Sequence, residues 1–289
     1  MNKIADNWKD YECISAGDGE KVERWGNILL RRPDPQAAWN KEPDSVWNSI
    51  HAHYHRSSKG GGSWEFKKKL PETWTVSYKN LTFKVSPTGF KHTGLFPEQA
   101  ANWDWISEKI KNAGRKVKVL NLFAYTGGAT LAAAAAGASV THVDASKGMV
   151  TWAKENAVSS GLEKAPIRWL VDDCIKFVER EIRRGNRYDA IIMDPPSYGR
   201  GPKGEIWKLE TSVYPLIQKC ASLLSDRPLF FLVSSYTTGL APAVLTYMIS
   251  TVLKDHAGNV TSQELGLPVA STGLYVPCGA SGRWEAAPL

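Results

Sequence analysis

The residues of this chain best suited to chemistry each end what reads as a strand. Gly127 and Gly128 close N-L-F-A-Y-T-G-G at 121–128, Asp144 closes T-H-V-D, Asp172 and Asp173 close W-L-V-D-D, and Asp194 closes A-I-I-M-D before Pro195 and Pro196. Glycines at such a point let backbone approach a ligand closely and allow φ values closed to other residues. An acid some way past a glycine turn, about 20 residues on, suits the two hydroxyls of a ribose. Asp144 stands 16 residues past Gly128. After Asp194 the prolines fix their own φ, hold the residues before them extended and donate no backbone hydrogen bond. The result is a rigid shelf with one carboxylate and free carbonyl acceptors. Plainer readings exist for each part: glycines are common at strand–helix turns, aspartate is a favoured helix N-cap, and D-P-P can simply end a strand. Four consecutive strand ends of this kind point instead to a nucleoside cofactor.

Such ends line up only if the strands lie parallel in one sheet. Apolar, β-branched runs place strands at 117–123, 139–144, 167–172, 190–194 and 229–234, with two later ones near 260–265 and 274–278. Helical patterns fall between them at 129–136, 148–159, 175–184, 209–224 and 243–255. Repeated β-α-β units with continuous apolar strands predict an α/β fold, a doubly wound, mostly parallel seven-stranded sheet. Ligands of such sheets bind beyond the carboxyl ends of the strands. Before residue 95 the pattern differs. W-E-F, W-T-V-S-Y and L-T-F-K-V alternate apolar and polar residues, which predicts antiparallel strands. We therefore expect a small β-rich domain over 1–90, as an RNA-binding or substrate-facing module, and a catalytic domain over 91–289.

The turn chemistry narrows the cofactor. T-G-G-A-T lacks the G-x-G-x-x-G spacing that embraces a pyrophosphate, and there is no Walker lysine for a triphosphate. An acid ending the fourth strand of the sheet would repel phosphate and attract an ammonium group. Adenosine, ribose and ammonium without phosphate describe S-adenosylmethionine.

Composition sets the surroundings. The formal charge of +7 leans toward a polyanionic partner. Twelve tryptophans, several beside lysines, suit either stacked bases or the core of a small β module. The four cysteines form no C-x-x-C pair, no apolar run spans a bilayer, and the first residues carry acids and no apolar core. These features predict a cytoplasmic protein with no membrane association and no metal. H-A-H-Y-H-R at 51–56 places His51, His53 and His55 at spacing two, which could line one face of a strand, yet no acid or cysteine completes a site. A substrate edge of Tyr54, His55 and Arg56, or a plain surface, is the expectation there.

N-L-F-A-Y-T-G-G, V-D-A-S at 143–146, A-K-E-N at 153–156, D-D-C at 172–174 and M-D-P-P at 193–196 together resemble a known family. It is the class I S-adenosylmethionine-dependent methyltransferases of the bacterial large-subunit ribosomal RNA type, with cytosine-5 and guanine-N members. H-T-G-L-F-P-E-Q at 92–99 resembles that family's K-T-G-x-x-x-D-Q motif, with proline and glutamate in place of the usual pair. The resemblance covers about 90–285. It implies that Phe123, Ala124, Tyr125, Thr126, Gly127 and Gly128 pass the methionine part of the cofactor. It also implies that Asp144, with Ala145 and Ser146, holds the ribose, and that Asp173 beside Asp172 faces adenine. Asp194 would stand near the cofactor amine and the acceptor, with Asp194, Pro195 and Tyr198 as the catalytic set and RNA as the partner.

The departures matter as much. Cytosine-5 members keep a nucleophilic cysteine after the fifth strand of the sheet, where this chain has V-S-S-Y-T-T-G-L at 233–240. Serine would need strong activation to replace that thiolate. Cys174 is expected to pack at a helix start. In amino methyltransferases an aromatic directly follows D-P-P and stacks on a flipped base; here Ser197 intervenes before Tyr198. G-R-G-P-K-G at 199–204 offers Arg200 and Lys203 as a phosphate-binding loop or a solvated one. The expected reaction is methylation of a nucleobase nitrogen in ribosomal RNA. The alternatives are a small-molecule or protein acceptor in the same pocket, and cytosine-5 chemistry through an unrecognised cysteine.

Overall fold

Alternating apolar and polar residues make strands with one buried face, and the first third of the chain is built of these. The computed structural model describes residues 3–58, 60–89, 91–200, 206–237 and 239–287. After a short β1 (Lys3–Ile4) come β2 (Tyr11–Gly17), β3 (Glu20–Trp25), β4 (Ile28–Pro33), β5 (Ala52–Arg56) and β6 (Gly62–Phe66), then the hairpin β7 (Trp74–Tyr78) and β8 (Leu81–Val85). Strands β2 to β6 form one five-stranded sheet in sequence order, antiparallel except for the β4–β5 pair. The tryptophans of this N-terminal region are largely structural: Trp25 is buried, and Trp64 and Trp74 pack against the same core cluster.

The remainder alternates. It runs α1 (Ala100–Asn112), β9 (Lys118–Leu122), α2 (Gly128–Ala135), β10 (Ser139–Asp144), α3 (Lys147–Ser159), β11 (Ile167–Val171), α4 (Cys174–Arg184) and β12 (Ala190–Met193). A hairpin of β13 (Tyr198–Arg200) and β14 (Ile206–Lys208) follows, then α5 (Leu209–Ala221), β15 (Phe230–Ser235), α6 (Pro242–Val252), β16 (Gly258–Pro268) and β17 (Tyr275–Ala286). The sheet order is β1-β16-β17-β15-β12-β9-β10-β11, parallel throughout except where β17 runs against β15 and β16. The seven expected strands are thus present, and β1 adds an eighth at the edge by pairing Lys3 with Leu265.

Both faces of this sheet are covered, which is why its strands read as unbroken apolar runs. Leu120, Ile191 and Phe231 pack with α4, α5 and α6, whereas Val119, Ile192 and Phe230 pack with α1 and α2. Helix α1, with Trp103, Ile106 and Ile110 buried at helical spacing, was not among the predicted helices. The N-terminal strands join the rest through a shared cluster in which Trp25 and Phe83 meet Trp103, Leu131 and Ala157. One joint is polar: the Thr126 hydroxyl donates to the Gly94 carbonyl at 2.6 Å. Gly94 has φ +91, and a Cβ there would lie 2.2 Å from the Trp152 ring. Only glycine lets the 92–99 segment dock on the turn after β9.

Candidate active site

The carboxyl ends of β9, β10, β11 and β12 open into a cavity of about 1320 Å³. Of the predicted site residues, Phe123, Tyr125, Asp144, Ala145, Ser146, Asp172, Asp173, Asp194 and Pro195 line it. Each lies at or just past the end of a strand, so the parallel registry of the sheet brings them together.

At one end the chain turns sharply out of β9. Phe123 and Tyr125 adopt left-handed φ values of 54° and 52°, and Gly127 follows at 90°. Non-glycine residues held in that region mark backbone over-determined by its surroundings, a feature concentrated at binding sites. The turn aims the Tyr125 amide at Asp144, which accepts it at 2.9 Å and accepts the Ser146 amide at 2.8 Å. Two backbone donors fix the carboxylate and leave its remaining lone pairs toward the cavity. Asp173 caps α4 by accepting from the Lys176 amide at 2.9 Å, and Asp172 pairs with Arg180. The capping reading is therefore correct for Asp173, while Ser146 rather than Asp144 caps α3. Val171 and Ile175 flank these acids with apolar surface in the same wall.

The other end is assembled from distant segments. Asp194 is partly buried, and Glu98 and Tyr236 line the wall with it. Burial, and after it the neighbouring Glu98 carboxylate, pushes the Asp194 carboxyl up to about 7. Burial likewise raises Glu98, against the pull of Lys21 and a hydrogen bond from Tyr236. Tyr236 in turn accepts from the Gln99 amide nitrogen at 2.8 Å. Phe96 stands between rings, its centroid 5.3 Å from His92, 5.5 Å from Tyr125 and 5.6 Å from Tyr236. Desolvation and the nearby Arg32, Lys91 and Lys21 lower His92 to about 4, so its ring is neutral.

The shelf is less open than its sequence suggests. The Pro196 carbonyl accepts the Trp207 indole N–H at 2.6 Å, and the Ser197 carbonyl accepts the Leu209 amide at 3.0 Å. Both of those acceptors are used to fold the β13–β14 hairpin back over the shelf. Thr237 ties in the far side by donating to the Ser197 hydroxyl at 2.8 Å.

Several predicted residues stand apart. Tyr198 is half exposed on β13 and is not part of the cavity wall. Thr126 is buried, and Gly128 abuts Trp103, so these two shape the turn from behind. Ala124 lines a small adjoining recess together with Thr126 and Gly128. Arg200 ends β13, and Lys203 with the rest of 201–205 lies outside the described residues. The cysteines at the cavity, Cys174 and Cys278, both have thiols pushed up by burial, and Cys174 accepts the Phe123 amide at 3.3 Å. Neither supplies a ready thiolate.

Sequence reasoning passed over Phe96, Glu98 and Tyr236, although all three lie in quoted segments. It also gave no hint that β3 and β4 deliver Lys21 and Arg32 to the cavity wall. There a buried Glu23 holds Arg32 at 2.6 Å and Lys21 at 3.5 Å.

Residues 38–212 match the S-adenosylmethionine-dependent methyltransferase family. A crystal structure of an S-adenosylmethionine-dependent methyltransferase from Agrobacterium tumefaciens aligns with a TM-score of 0.92 at 39% identity, covering 98% of this chain and 92% of that one. A chain from Streptococcus mutans, at 18% identity and a TM-score of 0.76 over 97% of this chain and 76% of that one, shares the fold. Curated relatives named ribosomal RNA large subunit methyltransferase K/L occur in Shewanella frigidimarina, 34% identical over 236 residues, and in a second Shewanella strain, 37% identical over 213. These alignments take in 78% and 71% of this chain but only 31% and 28% of the relatives, so the chain spans less than a third of their length.

Proposed function

The chain belongs to the family of S-adenosylmethionine-dependent methyltransferases, and from that premise we propose that it methylates a nucleobase nitrogen in ribosomal RNA. One observation carries the reading. A single cavity joins the ribose acid Asp144 to the Asp194 shelf, with aromatic rings and cations around the shelf end. Its volume of about 1320 Å³ exceeds the roughly 300–1,000 Å³ of a one-ligand pocket, leaving room for a cofactor and a flat acceptor together.

The residues present fit the cofactor. Asp144 offers free lone pairs where ribose hydroxyls would lie, Val171 and Ile175 give an apolar slot for adenine, and Asp194 offers a carboxylate to the ammonium. When bound, S-adenosylmethionine supplies an electrophilic methyl group on a sulfonium. Everything else is done by the chain. Phe96 and Tyr236 present ring faces to a base, and Asp194 with the Pro195 carbonyl accepts hydrogen bonds from its edge. Holding the attacking nitrogen in line can supply much of the barrier reduction, up to about 7–11 kcal/mol in favourable cases. Lys91 in the cavity wall suits a flanking phosphate, and Lys21 and Arg32, buried and held by Glu23, lie in the same wall behind it. The exposed Tyr198 is assigned an outer stacking contact on the hairpin.

We further assign residues 1–90 as the RNA-facing module and a cytoplasmic location. The names of the K/L relatives support RNA as acceptor, and among the described residues no helix is long and apolar enough to cross a membrane. The raised thiols of Cys174 and Cys278 weigh against cytosine-5 chemistry. Incubating the protein with labelled methyl donor and protein-free large-subunit ribosomal RNA, then mapping the label by mass, tests the assignment. Label on a base nitrogen is expected. Label on a cytosine carbon, or none on RNA beside turnover of a small molecule or protein, would overturn it.

A further inference from the structure

The sequence shows no acid close to His53 and His55, but the fold supplies two. Pairing of β5 with β6 sets Glu65 directly across from His53, with His55 two residues along on the same face. Pairing of β4 with β5 and of β3 with β4 brings Glu20 to the same patch. The His53 and His55 rings lie 3.9 Å apart between centroids, and ligand atoms of His53, His55 and Glu65 all fall within 4.8 Å of one another.

Each carboxylate is already divided between two jobs. Glu20 turns Oε1 to His53 Nε2 at 2.7 Å and Oε2 to Arg31. Glu65 turns Oε2 to His55 Nε2 at 2.8 Å and Oε1 to Lys67. One oxygen of each faces an imidazole nitrogen while a cation steadies the other, as outer partners orient the ligands of a metal. Bonds of about 2.0–2.1 Å to zinc put tetrahedral ligand atoms about 3.3 Å apart, so His53, His55 and Glu65 need only a small rearrangement to enclose an ion. Glu20, already bonded to His53, would complete the set by turning its Oε1 from the ring to the ion. His55 and Glu65 have half-exposed side chains, which leaves them free to make it. Two imidazoles and two carboxylates suit zinc and give magnesium, an all-oxygen ion, nothing it prefers.

We propose that His53, His55, Glu65 and Glu20 form a zinc site that ties the edge strand β6 to β5 and β3. It lies on the face of the N-terminal sheet opposite Lys21 and Arg32, so it braces that sheet and takes no part in methyl transfer. The site is independent of the acceptor assigned above.

The test uses tag-free protein of residues 1–289, stripped with a chelator and titrated with zinc chloride in a calorimeter and in thermal melts. One zinc per chain and a rise in Tm of several degrees are expected. His55→Ala and Glu65→Gln alter exposed side chains and should fold, yet each should bind zinc at least about tenfold more weakly and lose the rise. His51→Asn serves as control, because the His51 ring accepts the Leu29 amide at 3.1 Å and belongs to the strand ladder instead. It should bind zinc like the parent. Absence of binding in the parent, unchanged binding in His55→Ala and Glu65→Gln, equal loss in His51→Asn, or an equal rise with magnesium would each overturn the proposal.

Discussion

The two ends of the cavity are built on opposite principles. At the ribose end Asp144 is satisfied before any ligand arrives, by amides at 2.8 and 2.9 Å from residues close by in the chain. At the shelf end Asp194 is desolvated beside a second acid, which pushes it up to about 7. A carboxylate held by two backbone donors is fixed in place, and so suits recognition. One left desolvated stores the cost of its charge until a cation or a hydrogen-bond donor relieves it. On the function proposed above, the Asp144 end would bind and the Asp194 end would respond to what is bound.

Asp194 should therefore show the largest effect. Asp194→Ala is expected to slow single-turnover methyl transfer on the order of 100-fold, the cost of about 1 Å of misplacement, with RNA affinity little changed. Equal losses in rate and RNA affinity would erase the contrast between the two ends. The raised carboxyl also gives a pH signature. Folding shifts Asp194 from an ordinary 3.8 to about 7, so between those values the folded chain holds a proton the unfolded chain has released. Its contribution to stability is full below the lower value and lost as pH rises through the upper one. Melts of the parent and Asp194→Asn from pH 4 to 8 should show the parent losing ground over that window. Cofactor affinity should move the other way, rising with pH toward 7 as the carboxylate ionises to meet an ammonium, and Asp194→Asn should flatten the rise.

The next effect belongs to the ribose end. Asp144→Ala removes a charge-assisted acceptor and should weaken S-adenosylhomocysteine binding by roughly 1.5–3 kcal/mol in calorimetry. It also strands the Tyr125 and Ser146 amides, so the melt should drop as well. Unchanged affinity would mean that the ribose sits elsewhere.

That same contrast explains what the sequence made legible. The glycine turn, Asp144, the Asp173 cap and the D-P-P shelf are local: strand periodicity, turn chemistry and capping write them into consecutive residues. The way Asp194 is joined to its surroundings is not. Glu98, Asp194 and Tyr236 come from three separated segments, and Lys21 and Arg32 from another sheet, so only tertiary contact joins them. Short or marginal elements were lost for a related reason. Two residues of β1 and three each of β13 and β14 carry no period to read, and Trp207 reaches Pro196 only once the hairpin folds. Helix α1 is a different lesson, since its apolar spacing was present but fell before the first parallel strand, where alternation of elements had not yet begun.

Gly128 tests whether a glycine at the ribose end serves ligand or fold. A Cβ there would lie 2.5 Å from the Trp103 ring, which is buried in the core shared with the N-terminal strands. Gly128→Ala should destabilise the protein by about 1–3 kcal/mol through overpacking. Cofactor affinity, measured well below the melt, should change much less. A large affinity loss with an unchanged melt would return Gly128 to the ligand.

The smallest effect is expected at Cys174, which touches the cavity yet belongs to neither principle. Its thiol is buried, raised by that burial, and used as a packing partner that accepts the Phe123 amide at 3.3 Å and donates to the Val143 carbonyl at 3.7 Å. Serine can keep both contacts in nearly the same volume, so Cys174→Ser should leave single-turnover methyl transfer within about twofold and cost on the order of 1 kcal/mol in stability at most. A covalent mechanism demands the opposite, because attack on a pyrimidine ring needs a thiolate that serine cannot replace. A dead Cys174→Ser beside an active Asp194→Ala would move the chemistry from the shelf to the thiol and make cytosine-5 the reaction.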